Sequence, residues 1–136
     1  MNDEEFLKVM QSHGLGKHLI LSTQHYEEFD ASDGNTIVEF KHRGQDYAEY
    51  IVDSVKIGSN LNYAQKMNKN FFFAIITPKR LIVWDIVKYI LSQPKGVLFI
   101  PQILPENQNP GNNRKLVNLV HYIPVMDAIK IIQLKK

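Results

Sequence analysis

The stretch that most constrains the fold is the run at residues 71–77, which reads Phe-Phe-Phe-Ala-Ile-Ile-Thr. A short apolar run without polar alternation is typical of a buried central strand. A turn signal at residues 78–80, Pro-Lys-Arg, follows it, and residues 81–86 return as a second, mostly apolar strand. We expect Trp84 and the three phenylalanines to lie in the core rather than to stack on bases. The two runs therefore predict neighbouring strands of a buried sheet.

A hairpin is predicted upstream of these strands. Residues 26–31 and 36–42 are two extended segments, and residues 32–35, Ser-Asp-Gly-Asn, join them. Asp-Gly between such segments is a strong hairpin signal. Side chains alternate along a strand, so Glu39 and Lys41 share one face of the second segment.

The remaining elements follow from periodicity and turn residues. The predicted helices lie at residues 4–12, 46–58 (with Tyr47, Tyr50, Ile51 and Val55 along one side), 60–68 and, after Pro124, 125–132. A short strand is predicted at residues 18–22, and a loop at 94–111 that contains a short apolar piece at 97–100. Residues 115–123 fit either a strand or a helix by periodicity, and Pro124 favours a strand that ends there. The order predicts one α/β domain over residues 1–136, with a mixed β-sheet flanked by helices.

Composition restricts the function classes. The chain has 136 residues, 44% hydrophobic and 22% charged, which is an ordinary globular balance. It contains no cysteine, so disulfides and thiolate zinc sites are excluded. The acidic N-terminus does not read as a signal peptide, and no apolar stretch is long enough to span a membrane. We therefore expect an intracellular, cytoplasmic protein without a membrane partner.

The charge and the motif inventory add further limits. A formal net charge of +2 does not by itself indicate nucleic-acid binding. The basic residues can converge on one face or be scattered as solubilising charges, and the sequence leaves both open. The five histidines lack metal-ligand spacing, and no glycine-rich phosphate loop or serine-hydrolase motif is present.

Three residues of the predicted hairpin can carry chemistry. Asp30 ends the first strand, so a tight turn can place it beside Glu39, with Lys41 on the same face. Two carboxylates and water are a common minimal set for Mg²⁺, and the backbone carbonyl of Phe40 can be added. Lys41 can orient or help to deprotonate an attacking water. Glu-x-Lys alone is more often a solvated ion pair, and the upstream acid strengthens the catalytic interpretation.

This pattern resembles the PD-(D/E)xK nuclease superfamily, whose fold is restriction-endonuclease-like with an αβββαβ core. The resemblance is carried by residues 29–31 (Phe-Asp-Ala), the Asp-Gly turn, residues 37–43 (Ile-Val-Glu-Phe-Lys-His-Arg) and residues 50–56 (Tyr-Ile-Val-Asp-Ser-Val-Lys). Many small members of the superfamily are phage-encoded.

The resemblance implies Mg²⁺- or Mn²⁺-dependent hydrolysis of DNA phosphodiester bonds. Asp30, Glu39 and the Phe40 carbonyl would bind the metal, with Asp30, Glu39 and Lys41 as the catalytic set. Arg43 and Lys56 would contact DNA. A homodimer is compatible with the superfamily.

Several alternatives stay open at this point. Phe29 stands where the superfamily has proline, and Asp33 competes with Asp30 as the first acid, although its place in the turn favours a turn former. Glu4 or Glu5 of the first helix can supply a further acid. Lys56 equally fits a surface pair with Asp53. The rival function is an inactive DNA-binding or structural protein of the same fold, and RNA or branched DNA cannot be separated from DNA as substrate.

Overall fold

A computed structural model of the chain describes residues 2–23, 29–105 and 115–134. In these ranges the elements are α1 (Asp3–Ser12), β1 (Ile20–Leu21), β2 (Ala31–Ser32), β3 (Thr36–His42), β4 (Glu49–Asp53), α2 (Ser54–Lys66), β5 (Asn70–Ile76), β6 (Arg80–Asp85), α3 (Ile86–Ser92), β7 (Ile100–Pro105), β8 (Lys115–Pro124), a 3₁₀ turn (Val125–Asp127) and β9 (Lys130–Gln133). The fold is mixed α/β, as predicted. Within the described ranges, no helix has the length and apolar character needed to cross a membrane.

The strands form two sheets. The larger has the order β1-β2-β3-β5-β6-β9, in which β3 and β5 are parallel and the other neighbours are antiparallel. The smaller is antiparallel, with the order β4-β8-β7. β3 therefore lies inside the large sheet, between the short strand β2 and the buried strand β5.

Two apolar clusters cover the faces of the large sheet. On one face, α1 packs its buried residues Phe6, Leu7 and Met10 against Val38 and Phe40 of β3. The opposite cluster joins the sheet to α2, α3 and the small sheet; its members include Ile37, Tyr50, Val52, Ile57, Phe73, Trp84, Ile86 and Ile123. Because side chains alternate along β3, Glu39 and Lys41 point toward the α2 side.

Four of the predicted elements agree with the structure. The predicted helix at 4–12 is α1, which begins at the cap Asn2, whose side chain accepts a hydrogen bond from the Glu5 N–H. The strands predicted at 36–42, 71–77 and 81–86 are β3, β5 and β6 within one residue at each end. Trp84 is fully buried in the core, as predicted, and its indole N–H donates to the Pro124 carbonyl at 2.8 Å.

The helix predicted at 46–58 is wrong in its first half. Residues 49–53 form β4, and the helix begins at Ser54 and runs without a break to Lys66, so the separately predicted helix at 60–68 is its continuation. Asp53 caps this helix by accepting the Val55 N–H at 2.8 Å. Tyr50 and Val52 alternate as buried strand residues, and Val55 is 75% exposed, so the four predicted apolar positions do not form a helix face.

The C-terminal prediction is corrected in a similar way. The helix expected at 125–132 is a 3₁₀ turn followed by β9, which pairs with β6 through Ile132 opposite Leu81. Residues 115–123 belong to strand β8, as Pro124 indicated, and part of the predicted loop at 94–111 is strand β7. The strand predicted at 18–22 is reduced to β1.

Among the described residues, the first strand of the hairpin is placed differently from the prediction. Only Ala31 and Ser32 form strand β2, and the turn is confined to residues 33–35. Residues 26–28 of the predicted strand, like residues 106–111 of the predicted loop, lie outside the described part of the chain.

Candidate functional site

The turn between β2 and β3 brings Asp30 beside Glu39. Ala31 is opposite Val38 in the ladder, and the Asp30 N–H donates to the Val38 carbonyl at 2.8 Å, so the next register position places Asp30 opposite Glu39. In return, the Phe40 N–H donates to Oδ2 of Asp30 at 2.7 Å. The two carboxylates predicted to converge therefore do so on adjacent strands.

Asp33 has a different task. Its Oδ1 accepts the backbone N–H groups of Asn35 at 2.7 Å and of Thr36 at 2.8 Å, which closes the turn. Because that oxygen is engaged inside the turn, Asp33 acts as the turn former, and Asp30 is the acid placed beside Glu39.

Glu39 is the most constrained polar group of the site. Its side chain is 2% exposed, and its Oε1 is buried without a hydrogen bond. Two ammonium groups approach this same oxygen, with Lys41 Nζ at 3.4 Å and Lys56 Nζ at 3.7 Å. Ion pairing with these two ammonium groups offsets part of the cost of burying the carboxylate, so this oxygen lies where positive charge is favoured.

Burial raises the pKa of both carboxyl groups. For Glu39, removal from water raises the pKa, while the charges of Lys41 and Lys56 oppose the rise. For Asp30, burial again raises the pKa, and the Phe40 N–H opposes it. The charged forms of both acids are thus disfavoured in the folded protein, a condition that further positive charge at the site would relieve.

Lys56 reaches the site from the opposite direction. It lies in the first turn of α2, and its ammonium group pairs with Glu39 rather than with Asp53, whose carboxylate caps the helix. The surface pair between Asp53 and Lys56, left open by the sequence, is therefore replaced by a contact that joins the helix to β3.

Arg43 follows the end of β3 and is not brought to the carboxylates. Its Nη1 donates to the His42 carbonyl at 2.9 Å, and its side chain forms no ion pair with Asp30 or Glu39. The Arg43 side chain is therefore exposed directly after the end of β3.

The acid that α1 contributes near the site is Asp3, which the sequence analysis missed. Asp3 Oδ1 lies 2.9 Å from Nε2 of His42, and its charge raises the pKa of Asp30. Glu4 instead pairs with Lys8 on the exposed side of the helix at 3.9 Å. Acids are expected in a first helical turn for electrostatic reasons, so the sequence did not single out Asp3, the acid that contacts β3.

The donor set fits a hard divalent cation in part. Across the described ranges, no group of three or more His, Cys, Asp or Glu side chains could hold a metal ion. Asp30 and Glu39 supply two carboxylates, one of them with the buried unbonded oxygen. Water, substrate oxygens or the predicted Phe40 carbonyl would have to complete the shell, as is usual for Mg²⁺.

Sequence comparison gives this site no precedent. No protein-family model matches the chain, and no curated protein is detectably similar to it. The functional interpretation therefore depends on the geometry of the residues themselves.

Proposed function

We propose that the protein is a metal-dependent nuclease that hydrolyses DNA phosphodiester bonds. The observation that carries the proposal is the juxtaposition of Asp30 with Glu39, whose buried Oε1 has no hydrogen bond. A buried carboxylate oxygen that attracts positive charge, beside a second carboxylate, is suited to a divalent cation.

Asp30 and Glu39 would hold Mg²⁺ or Mn²⁺, with the Phe40 carbonyl as a further ligand. A bound divalent cation supplies an acidified water and offsets negative charge on a phosphate oxygen. Asp30 is held in place for this role by the Phe40 N–H, and Glu39 by its burial in the sheet. The fixed positions of the two acids mean that little reorganisation is needed when a ligand binds.

Lys41 would act on the reacting water or the phosphate. It shares the strand face of Glu39, and 37% of its side chain is exposed, so its ammonium group can meet a solvent-borne substrate. An ammonium group donates hydrogen bonds and stabilises the negative charge that develops in the transition state. Arg43, exposed at the strand end, would bind a neighbouring phosphate.

The order of elements supports placement in the restriction-endonuclease-like fold. The series α1, β1, β2, β3, α2, β5 follows the expected αβββαβ order. β4 is inserted between β3 and α2 and joins the small sheet instead of the large one. With this insertion, Glu39 still lies on β3 and Asp30 directly before β2. Lys56 lies at the start of the following helix.

One observation favours the rival, an inactive DNA-binding or structural protein of the same fold. Lys41 and Lys56 both approach Glu39, so its charge has partners within the protein even without a metal. A purely structural cluster would show no affinity for Mn²⁺ at millimolar concentration, with or without DNA. Calorimetric titration of the wild type and Glu39→Gln with Mn²⁺ separates the two functions.

Nuclease activity should be assayed on single-stranded, duplex and branched DNA, and on RNA, with Mg²⁺ or Mn²⁺. We expect cleavage by the wild type and its loss in Asp30→Asn, Glu39→Gln and Lys41→Met, each folded by circular dichroism. Glu4→Gln and Lys66→Met alter exposed charges on α1 and α2 and serve as matched controls. Equal metal-dependent cleavage by all variants would contradict the site assignment.

A further inference from the structure

The position of Lys56 in its helix is electrostatically unfavourable. Ser54, Val55 and Lys56 form the first turn of α2 after the cap Asp53, and this turn contains no acidic residue. The N-terminus of a helix carries a partial positive charge, which favours acids and disfavours lysine there. The contact of Lys56 with Glu39, outside the helix, offsets this unfavourable position.

That contact is shared with a second cation. Lys56 and Lys41 both approach Oε1 of Glu39, so two like charges converge on one atom. Lys56 is at the longer distance, 3.7 Å against 3.4 Å, and 49% of its side chain is exposed, whereas Glu39 is buried. Of the two lysines, Lys56 is the more exposed and the farther from Glu39, so it can turn toward solvent more readily.

The formal charges of the cluster indicate the condition under which Lys56 would turn toward solvent. Asp30, Glu39 and the nearby Asp3 carry three negative charges, and Lys41 and Lys56 carry two positive charges, so the cluster has a formal charge of −1 without a metal. A divalent cation on Asp30 and Glu39 would change this formal charge to +1. Repulsion would then act on Lys56 from the cation and from the helix N-terminus together.

We propose that Lys56 is a placeholder cation for Glu39, displaced when a divalent cation binds and thereby released to contact a DNA phosphate. This inference rests on the proposed function and assigns Lys56 a positioning role that depends on the metal. Metal binding and DNA binding would then be coupled. Lys56 pairs with Glu39 in the metal-free protein and would contact a DNA phosphate when the metal is bound.

The first test is Mn²⁺ affinity by calorimetry. Lys56→Met keeps the aliphatic stem and removes the competing charge, and Lys66→Met is the control on the same helix. We expect Lys56→Met to bind Mn²⁺ more tightly than the wild type, on the order of five-fold, because one exposed charge interaction is removed. A merely structural role would weaken binding, and an affinity equal to that of Lys66→Met would overturn the placeholder.

The second test separates displacement from a fixed electrostatic effect. In a Lys41→Met background, which prevents cleavage under the proposed function, DNA affinity is measured by fluorescence anisotropy with and without Mn²⁺. Adding Lys56→Met should weaken DNA binding only when Mn²⁺ is present, and adding Lys66→Met should not produce this dependence. Equal losses with and without Mn²⁺ would overturn the proposal.

The two proposals fail in different ways. If the wild type cleaves DNA but Lys56→Met shows neither signature, the placeholder is wrong and the nuclease function stands. If the placeholder signatures are present but no nucleic acid in the panel is cleaved, the nuclease function is wrong and the metal-dependent exchange stands. If no variant binds Mn²⁺, both are wrong.

Discussion

The backbone N–H of Phe40 donates a 2.7 Å hydrogen bond to the Asp30 carboxylate, so one acid of the site is fastened to the strand that carries the other. This bond is made by the main chain of β3, directly after Glu39. Its geometry therefore follows from the strand pairing and does not depend on a mobile side chain. Asp30 has a structural task as well as a proposed chemical one, and the two can be separated by substitution.

Asp30→Ala should destabilise the protein more than Asp30→Asn. Both substitutions remove the charge, but only asparagine keeps an oxygen that can accept the Phe40 N–H. The difference should be roughly 1 to 3 kcal/mol in the free energy of unfolding, the usual effect of leaving a partly buried donor unpaired. Urea denaturation of both variants without metal measures it. Identical unfolding curves would mean that water replaces the carboxylate at no cost.

Glu39→Gln should stabilise the metal-free protein at neutral pH. Because the pKa of Glu39 is raised in the folded state, its stability contribution is fully present below the unfolded value of 4.5 and is lost as pH rises through the folded pKa. Glutamine resembles the protonated acid and shows no such loss. The variant should match the wild type near pH 4 and exceed it at pH 7, as measured by thermal unfolding. Glu4→Gln, on the exposed side of α1, is the control.

Mn²⁺ should raise the melting temperature of the wild type and leave that of Asp30→Asn and Glu39→Gln nearly unchanged. A cation that binds only the folded protein stabilises it by about 2.7 kcal/mol at a concentration of 100 times Kd. The increase should be larger at pH 7 than at pH 5, since protonated acids are poor ligands. Differential scanning fluorimetry over a Mn²⁺ series checks this. An equal shift in all three proteins would place the cation elsewhere.

Arg43→Ala should weaken DNA binding without altering stability. The Arg43 side chain is exposed and its hydrogen bond goes to the adjacent His42 carbonyl, so its loss leaves the core intact. A phosphate contact should reduce the slope of log K against log salt concentration by about 1. Anisotropy titrations at several salt concentrations give the slope. Lys66→Met provides the comparison for an exposed charge away from β3, and an unchanged slope in both variants would remove Arg43 from the interface.

Local sequence was sufficient to predict a turn at Asp33 and Gly34, strand β3 and the approach of Asp30 to Glu39. Asp33 and Gly34 specify a turn, and the alternation in residues 36–42 specifies which side chains share a face, so the neighbourhood of Asp30 and Glu39 follows from about ten consecutive residues. The buried strands β5 and β6 were also predicted, because a short apolar run without polar alternation is typical of a buried strand.

The elements that sequence misassigned depend on partners far along the chain. β4 pairs with β8, with Tyr50 opposite Ile123, and β9 pairs with β6. Neither pairing leaves a local signal, and the apolar spacing in both segments also fits a helix. Asp53 was a helix cap that the prediction placed inside a helix. Asp3 was missed because its contact with His42 joins residues 39 positions apart.

The pairing of β4 with β8 joins segments that are synthesised at very different times, and this affects how the cluster can form. α2 starts where β4 ends, so the position of Lys56 is set partly by residues 115–124, which leave the ribosome long after the hairpin. A nascent chain that has reached β6 contains both acids but lacks the strand that supports β4. The acids are brought together by a local pairing, whereas the position of α2 also depends on a pairing with the distant strand β8.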